Sequence, residues 1–188
     1  MNIKDYVDHT LLKPTATEGD ITALCNEAIR YGFYAVCVNS CYVPLAKEIL
    51  QQSEVRLAAV IGFPLGAMAT KIKIKEAQYC IAKGADEIDM VINLGWLKSG
   101  RYKEIISEIE QIKKVIDTGT LKVILETCYL SDKEIQLACE LCLKGNADMV
   151  KTSTGFGPQG ATLNAVRIMK DTVGNKAGIK ASGGIRDR

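Results

Sequence analysis

The sequence has little of what several classes of protein require. Its 188 residues contain one histidine, and 24 lysine and arginine residues nearly balance 22 acidic residues. A chain with this balance has no overall field for gripping nucleic acid or an anionic membrane. No apolar run approaches the roughly 20 residues that span a bilayer, and the start MNIKDYVDHT lacks the apolar core of a secretory signal. We therefore expect a cytoplasmic protein whose partners include neither nucleic acid nor a membrane.

The sequence also lacks the usual signals of metal sites and of nucleotide-cofactor sites. His9 is the only imidazole, and it cannot build a multi-histidine metal site. The seven cysteines are an odd, scattered set without the usual close-spaced zinc ligands, a pattern typical of reduced thiols. Neither a dinucleotide-binding glycine fingerprint nor a P-loop occurs. We therefore expect neither a metal nor a cofactor.

Amphipathic stretches alternate with short aliphatic ones from Thr17 onward. The first, TEGDITALCNEAIRYG, has apolar residues at helical spacing and closes on Gly32, a typical C-terminal cap. Strand-like runs such as YAVCVN, RLAAVIGFP and LKVILET recur about every 22 to 35 residues with a helical stretch between them, which is the spacing of parallel βα units. A weaker strand is predicted around YVDHTLL, so that seven strands are predicted in all.

These repeated units predict an α/β protein that forms a single domain over residues 1–188. The preferred architecture is the (β/α)8 TIM barrel, and a doubly wound open sheet is the alternative. The sequence ends at GGIRDR, where a further helix, an eighth strand and a final helix would close such a barrel. We therefore expect a barrel that lacks its last strand and flanking helices within this sequence. Either the sequence is part of a longer chain, or the protein is a truncated barrel with an open edge between its first and seventh strands.

The candidate catalytic groups are polar residues at the carboxyl ends of the predicted strands. Lys151 and Lys180 end two of these strands, and alternation places Asp89 on one face of a third. If these faces point into the barrel, the three side chains converge. Two neighbouring ammonium groups disfavour each other's charge, so one lysine is expected to have a lowered pKa and to attack carbonyls, forming a Schiff base. Asp89 would pair with the other lysine and relay protons through water. For Lys151 alone, a lysine that merely extends to solvent is the alternative.

A glycine pair, Gly183 and Gly184, follows the last predicted strand in the segment SGGIR. Glycines let backbone N–H groups approach an anion closely, and a following helix would add its positive amino end. Phosphate sites favour this late region of a barrel. A tight turn between a strand and a helix is the alternative explanation.

The sequence resembles the deoxyribose-phosphate aldolase family in motifs that follow the family order over nearly the whole chain: DHTLLKP, VCVN, VIGFPLG, EIDMVINLG, KVILET, DMVKTSTGFGPQGAT and IKASGGIR. The combination of VKTSTGF with IKASGGIR is highly specific. The resemblance implies a cofactor-free class I aldolase of deoxyribonucleoside catabolism. Such an enzyme interconverts 2-deoxy-D-ribose 5-phosphate with acetaldehyde and D-glyceraldehyde 3-phosphate. The partners so implied are the phosphorylated sugar and further copies of the chain, in a homodimer or a higher homo-oligomer.

The resemblance also implies roles for individual residues. By position, Lys151 is the Schiff-base lysine, Lys180 the lysine that lowers its pKa, and Asp89 the acid partnered with Lys180. A small buried core residue is the alternative reading of Cys37. The remaining residues that the resemblance places at the substrate or its phosphate are Asp8, Thr10, Cys37, Thr154, Gly155, Gly183 and Gly184.

Two departures from the family pattern concern the phosphate. Phe156 stands where some branches carry a lysine after STG, and the Gly-Ser-Ser turn of the family's last strand has no counterpart in this sequence. Phosphate affinity would therefore depend on backbone donors. Two alternative functions remain open: a phosphate-binding barrel isomerase or synthase, and a truncated barrel with impaired or no turnover that associates through its open edge.

Overall fold

Seven parallel strands form one curled sheet in the computed structural model of the protein, which describes residues 2–185. The strands lie in chain order, and each pairs in parallel with the next. The predicted parallel α/β architecture is therefore confirmed. The doubly wound alternative is wrong, because its strand order would reverse at a switch point. The strands are β1 (Asp8–Leu11), β2 (Ala35–Asn39), β3 (Arg56–Ile61), β4 (Glu87–Val91), β5 (Thr120–Ile124), β6 (Met149–Lys151) and β7 (Gly178–Lys180).

Helices connect successive strands, as the sequence predicts. The first helix begins at a capping box, in which Thr17 and Asp20 each accept a backbone N–H of the other, and it ends at Gly32 with φ +64°. The short helix α4 was not predicted, and it begins where the side chain of Asn93 accepts the N–H of Trp96. The helices are α1 (Glu18–Tyr31), α2 (Val43–Leu50), α3 (Thr70–Ala82), α4 (Leu94–Lys98), α5 (Tyr102–Ile116), α6 (Asp132–Lys144) and α7 (Leu163–Val173).

The predicted carboxyl end extends beyond the described residues. Residues 186–188, the end of the predicted GGIRDR segment, lie outside them, and residues 2–185 contain no eighth strand. Within residues 2–185, no helix combines the length and the apolar character needed to cross a bilayer.

Strand alternation divides the sheet into two faces of different chemistry. The outer face packs against the helices in one large apolar core, to which every second residue of β2 to β5 belongs. The inner face carries a smaller apolar cluster, formed by Leu12, Cys37, Ala58 and Val60 with Phe63 packed against it. The inner face therefore has room for polar side chains that the outer face excludes.

A buried ion pair joins α3 to α5. The Lys73 ammonium lies 2.7 Å from Glu108 Oε1 and donates to the Val91 carbonyl at 2.9 Å. The second Glu108 oxygen accepts from the Thr70 hydroxyl at 2.7 Å. Burial opposes the charge of Lys73 more strongly than Glu108 supports it, so the pKa of Lys73 is lowered. The pair fixes α3 and α5 to the carboxyl end of β4.

We predict that Glu108→Ala lowers the free energy of unfolding by about 3–5 kcal/mol, because it leaves a buried ammonium without its carboxylate. Urea unfolding followed by circular dichroism measures the loss. The matched control is Glu110→Ala on the exposed side of the same helix, which should stay within about 0.5 kcal/mol of the parent. Equal effects of the two substitutions would contradict the assigned role of the pair.

Candidate active site

Six charged side chains meet on the inner side of the curled sheet and form what we call the inner charge cluster. Three are carboxylates and three are ammonium groups, so their formal charges cancel. Five of the side chains are at most 5% exposed, and the sixth, Lys180, is 16% exposed. The members are Asp8, Glu87, Asp89, Lys122, Lys151 and Lys180.

Asp89 is at the centre of the cluster. Its Oδ2 accepts from Lys151 Nζ at 2.6 Å, and its Oδ1 accepts from Lys122 Nζ at 2.9 Å. The register explains this arrangement, because Asp89 is paired with Lys122 across β4 and β5 and Lys151 follows one strand further on. Opposite charge outweighs desolvation at this buried carboxyl, so the pKa of Asp89 lies well below its ordinary value. Asp89 is therefore an ionised counter-ion for two lysines.

Lys180 has a different partner from the one that the sequence predicts. Its ammonium lies 2.6 Å from Asp8 Oδ2. Both oxygens of Asp89 are engaged by Lys151 and Lys122, so the predicted pairing of Asp89 with Lys180 is wrong in this structure. Asp8 is the first residue of β1, whereas Lys180 is the last residue of β7. The sheet curls far enough for this first strand to reach the last.

The predicted lowering of the Lys151 pKa is also wrong. Burial favours the neutral amine, but the adjacent Asp89 carboxylate outweighs that effect, so the pKa of Lys151 is raised above its ordinary value of 10.5. The expected lowering assumes that Lys180 is a neighbouring cation and takes no account of a carboxylate that neutralises it. Asp8 neutralises Lys180, which removes the repulsion on which the prediction depended.

Lys122 is a member of the cluster that the sequence analysis missed. Its ammonium contacts Asp8 at 3.2 Å, Asp89 at 2.9 Å and Glu87. Burial opposes its charge, but the carboxylates outweigh burial, and the pKa of Lys122 is raised well above its ordinary value. The signal was available, since alternation in the strand LKVIL points Lys122 away from the apolar neighbours on either side.

The predicted phosphate loops lie against each other at the carboxyl ends of β6 and β7. A Cβ built on Gly183 would lie 3.6 Å from the Gly155 Cα, and one built on Gly160 would lie only 2.0 Å from the Gly183 carbonyl oxygen. Gly155, Gly183 and Gly184 have φ of +85°, +82° and +79°, a region that L side chains rarely adopt. The Ser182 hydroxyl also donates to the Ser153 carbonyl at 2.6 Å. The structure thus brings the two glycine segments into one place.

A buried carboxylate fixes the shape of the loop after β6. Glu126, two residues after the end of β5, accepts the Thr154 N–H at 3.2 Å and also accepts a hydrogen bond from the Thr154 hydroxyl. That hydroxyl in turn accepts the Phe156 N–H at 3.0 Å. Glu126 itself has φ +53°, an uncommon backbone conformation for a residue with a side chain. The sequence placed Glu126 at a strand end but gave no reason to connect it to Thr154, because that contact depends on two loops.

The remaining predicted residues differ in how close they lie to the cluster. Cys37 is buried in the inner apolar cluster, and burial, aided by Asp89, raises its thiol pKa to about 12. Thr10 is exposed, and its hydroxyl donates to the Asp8 carbonyl at 2.8 Å. His9 contacts Glu27 at 2.8 Å, outside the cluster. Within residues 2–185, no three His, Cys, Asp or Glu side chains are grouped as metal ligands.

Comparison with known proteins places the chain among aldolases. A sequence model of the family described as DeoC/LacD family aldolase matches residues 4–188. The deoxyribose-phosphate aldolase of Carboxydothermus hydrogenoformans is 53% identical over 188 residues, which cover 98% of this chain and 82% of the relative. The solved structure "QR15, an Aldolase" has a TM-score of 0.96 at 42% identity and covers 100% of this chain and 84% of its own. A tetrameric deoxyribose phosphate aldolase from Aeropyrum pernix has a TM-score of 0.89 at 34% identity, covering 98% of this chain and 79% of its own.

We predict that Lys122→Met lowers the free energy of unfolding by about 3–5 kcal/mol at pH 8, because three buried carboxylates then face two ammonium groups. The excess negative charge raises the pKa of Asp89 in the variant above its unfolded value, so the variant binds a proton on folding. Its stability should therefore increase as the pH falls from 8 to 5.5.

The parent protein should show no such increase from Asp89 or Lys151. The pKa of Asp89 is lowered and that of Lys151 is raised, so their contributions stay constant between pH 8 and 5.5. Urea unfolding at both pH values measures the difference, with Lys144→Met at an exposed position as the control. A variant whose stability falls on acidification would contradict the assigned charge balance.

Proposed function

Because the chain belongs to the DeoC/LacD family of aldolases, we propose that it reversibly cleaves 2-deoxy-D-ribose 5-phosphate to acetaldehyde and D-glyceraldehyde 3-phosphate through a Schiff base on Lys151. The observation that carries this proposal is the contact of Lys151 Nζ with Asp89 Oδ2 at 2.6 Å inside a charge-balanced, buried cluster. The substrate is assigned from the function named for the relative at 53% identity.

Among the three lysines, Lys151 is the best placed to react. Lys122 is held by three carboxylates and lies deeper, at the middle of β5. Lys180 is paired with Asp8 on the more exposed side. Lys151 has one carboxylate partner and ends β6, directly before the loop that carries the small residues STG. A carbonyl bound over this loop would lie next to the Lys151 amine.

The raised pKa of Lys151 is compatible with a positively charged iminium intermediate at the same nitrogen. An ammonium and an aldehyde form an iminium and one water, so the positive charge at Nζ is the same before and after this step. Attack itself requires the neutral amine, so the ammonium first gives up a proton, and that proton is returned when the carbinolamine loses water to form the iminium. A site that favours the Lys151 ammonium by means of Asp89 therefore also favours the iminium that replaces it.

Charge balance also suggests the proton acceptor in the cleavage step. A base removes the proton of the substrate's C3 hydroxyl, the C2–C3 bond breaks, and its electron pair neutralises the iminium to an enamine. C3 becomes the aldehyde carbon of D-glyceraldehyde 3-phosphate, which leaves. If the proton is passed through water to Asp89, one positive and one negative charge of the cluster disappear together. Return of the proton to the enamine carbon restores the iminium, and water then releases acetaldehyde. Asp89 is therefore proposed as the proton relay, with Lys180 and Asp8 as the ion pair beside the substrate.

We also propose that the phosphate binds at the paired glycine segments. Gly155, Gly183 and Gly184 present backbone where a side chain would be strained, and Thr154 is fixed beside them by Glu126. Phe156 packs edge-on against Phe63 at a centroid distance of 5.3 Å and supplies no charge. Phosphate affinity then depends on backbone N–H donors. Thr10 and Cys37 are proposed as lesser substrate-side contacts.

We also propose the domain organisation, the cellular location and the oligomeric state of the enzyme. The Asp8 to Lys180 contact, which joins the first strand to the last, supports a single domain built on the eight-stranded barrel plan. Seven free thiols support a cytoplasmic location. The tetrameric relative from Aeropyrum pernix supports a homo-oligomer.

Trapping with borohydride tests the proposed amine chemistry. Incubation with acetaldehyde and borohydride should place a reduced ethyl adduct on the peptide that contains Lys151, and Lys151→Arg should abolish both the adduct and the turnover of 2-deoxy-D-ribose 5-phosphate, by roughly 10³-fold or more. Lys144→Arg at an exposed position is the control and should keep both.

The opposite results would favour the other functions that the sequence left open. Turnover that is insensitive to borohydride and acetaldehyde would point to an isomerase or synthase. A folded chain with neither adduct nor turnover would point to an inactive barrel.

A further inference from the structure

A second set of polar residues approaches the inner charge cluster from the opposite end of the sheet. Glu87 is the first residue of β4, Arg56 is the first of β3, and Tyr34 immediately precedes β2. Lys151 and Lys180 are the last residues of β6 and β7. Because the strands are parallel, these two sets lie at opposite ends of the sheet. The polar interior therefore runs from one end of the strands to the other.

Glu87 connects the two ends. Its side chain is fully buried, and its Oε1 accepts from the Tyr34 hydroxyl at 2.8 Å. Arg56 Nη1 lies 3.7 Å from the same oxygen. The second oxygen, Oε2, contacts the Lys122 ammonium. One carboxylate oxygen thus faces the amino ends of the strands, while the other faces the cluster.

The outer end of this connection is close to solvent. Arg56 is 51% exposed, and its guanidinium lies over the Tyr34 ring at 5.3 Å from the centroid. From Arg56 and Tyr34, the contacts pass through Glu87, Lys122 and Asp89 to Lys151. Each link is an ion pair or a hydrogen bond between charged or polar side chains.

Lys122 is the point at which Glu87 can influence the reacting lysine. A single ammonium shares its charge among Asp8, Glu87 and Asp89. If Glu87 lost its charge, Lys122 would interact more strongly with Asp89, and Asp89 would then stabilise the Lys151 cation less. Such indirect effects are strong in a buried network, where water does not screen them.

We propose that Glu87 is a positioning residue for the Schiff-base chemistry, and that it acts through Lys122 from the far end of the sheet to set the proton affinity of Lys151. Tyr34 orients Glu87 by donating to the oxygen that faces away from the cluster. The inference rests on the proposed function for its effect on turnover, whereas its effect on Lys151 is a property of the folded chain.

The other groups that face Lys151 lie on other strands. Asp89 approaches from β4, Lys122 from β5, and Cys37 from β2. The Cys37 thiol, with a pKa of about 12, stays neutral near pH 7. Lys180 is the register neighbour on β7 and is paired with Asp8 on β1. Among the carboxylates that Lys122 contacts, Glu87 is the one that also contacts Tyr34 and Arg56 at the amino ends of the strands.

The test measures the apparent pKa of Lys151 without requiring turnover. Cyanate carbamylates neutral amines, and peptide mass mapping across a pH series reports the rate at Lys151. Glu87→Gln preserves size and removes the charge, and we expect the apparent pKa of Lys151 to fall by about one unit, with the acid limb of turnover moving by the same amount. Glu54→Gln removes an exposed carboxylate just before β3 and should produce no shift.

Tyr34→Phe tests the same connection without removing a charge, and the expected shift of the Lys151 pKa has the opposite sign. Without the Tyr34 hydroxyl donor, the Glu87 carboxylate attracts Lys122 more strongly. Lys122 then interacts less with Asp89, so the apparent pKa of Lys151 should rise slightly. Unshifted pKa values in both Glu87→Gln and Tyr34→Phe, with lowered stability, would overturn the proposal and reduce Glu87 to a structural role. If the parent lacks aldolase activity, the proposed function fails, but the carbamylation comparison still decides this inference.

Discussion

The site depends on the sharing of one carboxylate, Asp89, between two ammonium groups. A buried carboxylate is tolerated only when cations and hydrogen bonds compensate for lost hydration. Asp89 obtains both from Lys151 and Lys122, which the parallel register brings to either oxygen. Lys122 then requires further negative charge, which Asp8 and Glu87 supply. The composition of the inner face follows from this requirement, whereas the outer face needs only apolar side chains for the helices.

The sequence predicts those parts of the structure that follow from local periodicity. Alternating βα units gave the seven strands, and strand parity placed Lys151 and Asp89 on inward faces. The pairing of Lys180 could not be predicted in this way, because it depends on how far the sheet curls to bring β1 near β7. Lys122 was missed for a different reason. Strand alternation sets Lys122 apart from its apolar neighbours, but a lone lysine in an apolar strand matches no motif, and its contact with Asp89 follows from the register.

The direction of the Lys151 pKa changes how the chemistry is understood. Two neighbouring lysines suggest a depressed pKa and a free amine, but each lysine here has a carboxylate partner. The cluster therefore favours a cation at the position where the iminium would form. Because the net charge at Nζ is the same in the ammonium and in an iminium, the carboxylate that holds the resting cation would also suit that intermediate. The glycine segments beside Thr154, which we propose as the phosphate site, lie at the same end of the strands.

The most direct test of this account is a nitrogen-15 nuclear magnetic resonance titration of the lysine side chains, with the Lys151 signal assigned by its loss in Lys151→Arg. The structure predicts that Lys151 remains protonated beyond its ordinary pKa of 10.5, and that Asp89→Asn brings its titration to a lower pH. A Lys151 signal that titrates below the ordinary value in the parent protein would contradict the claim that Asp89 maintains a cation at this position.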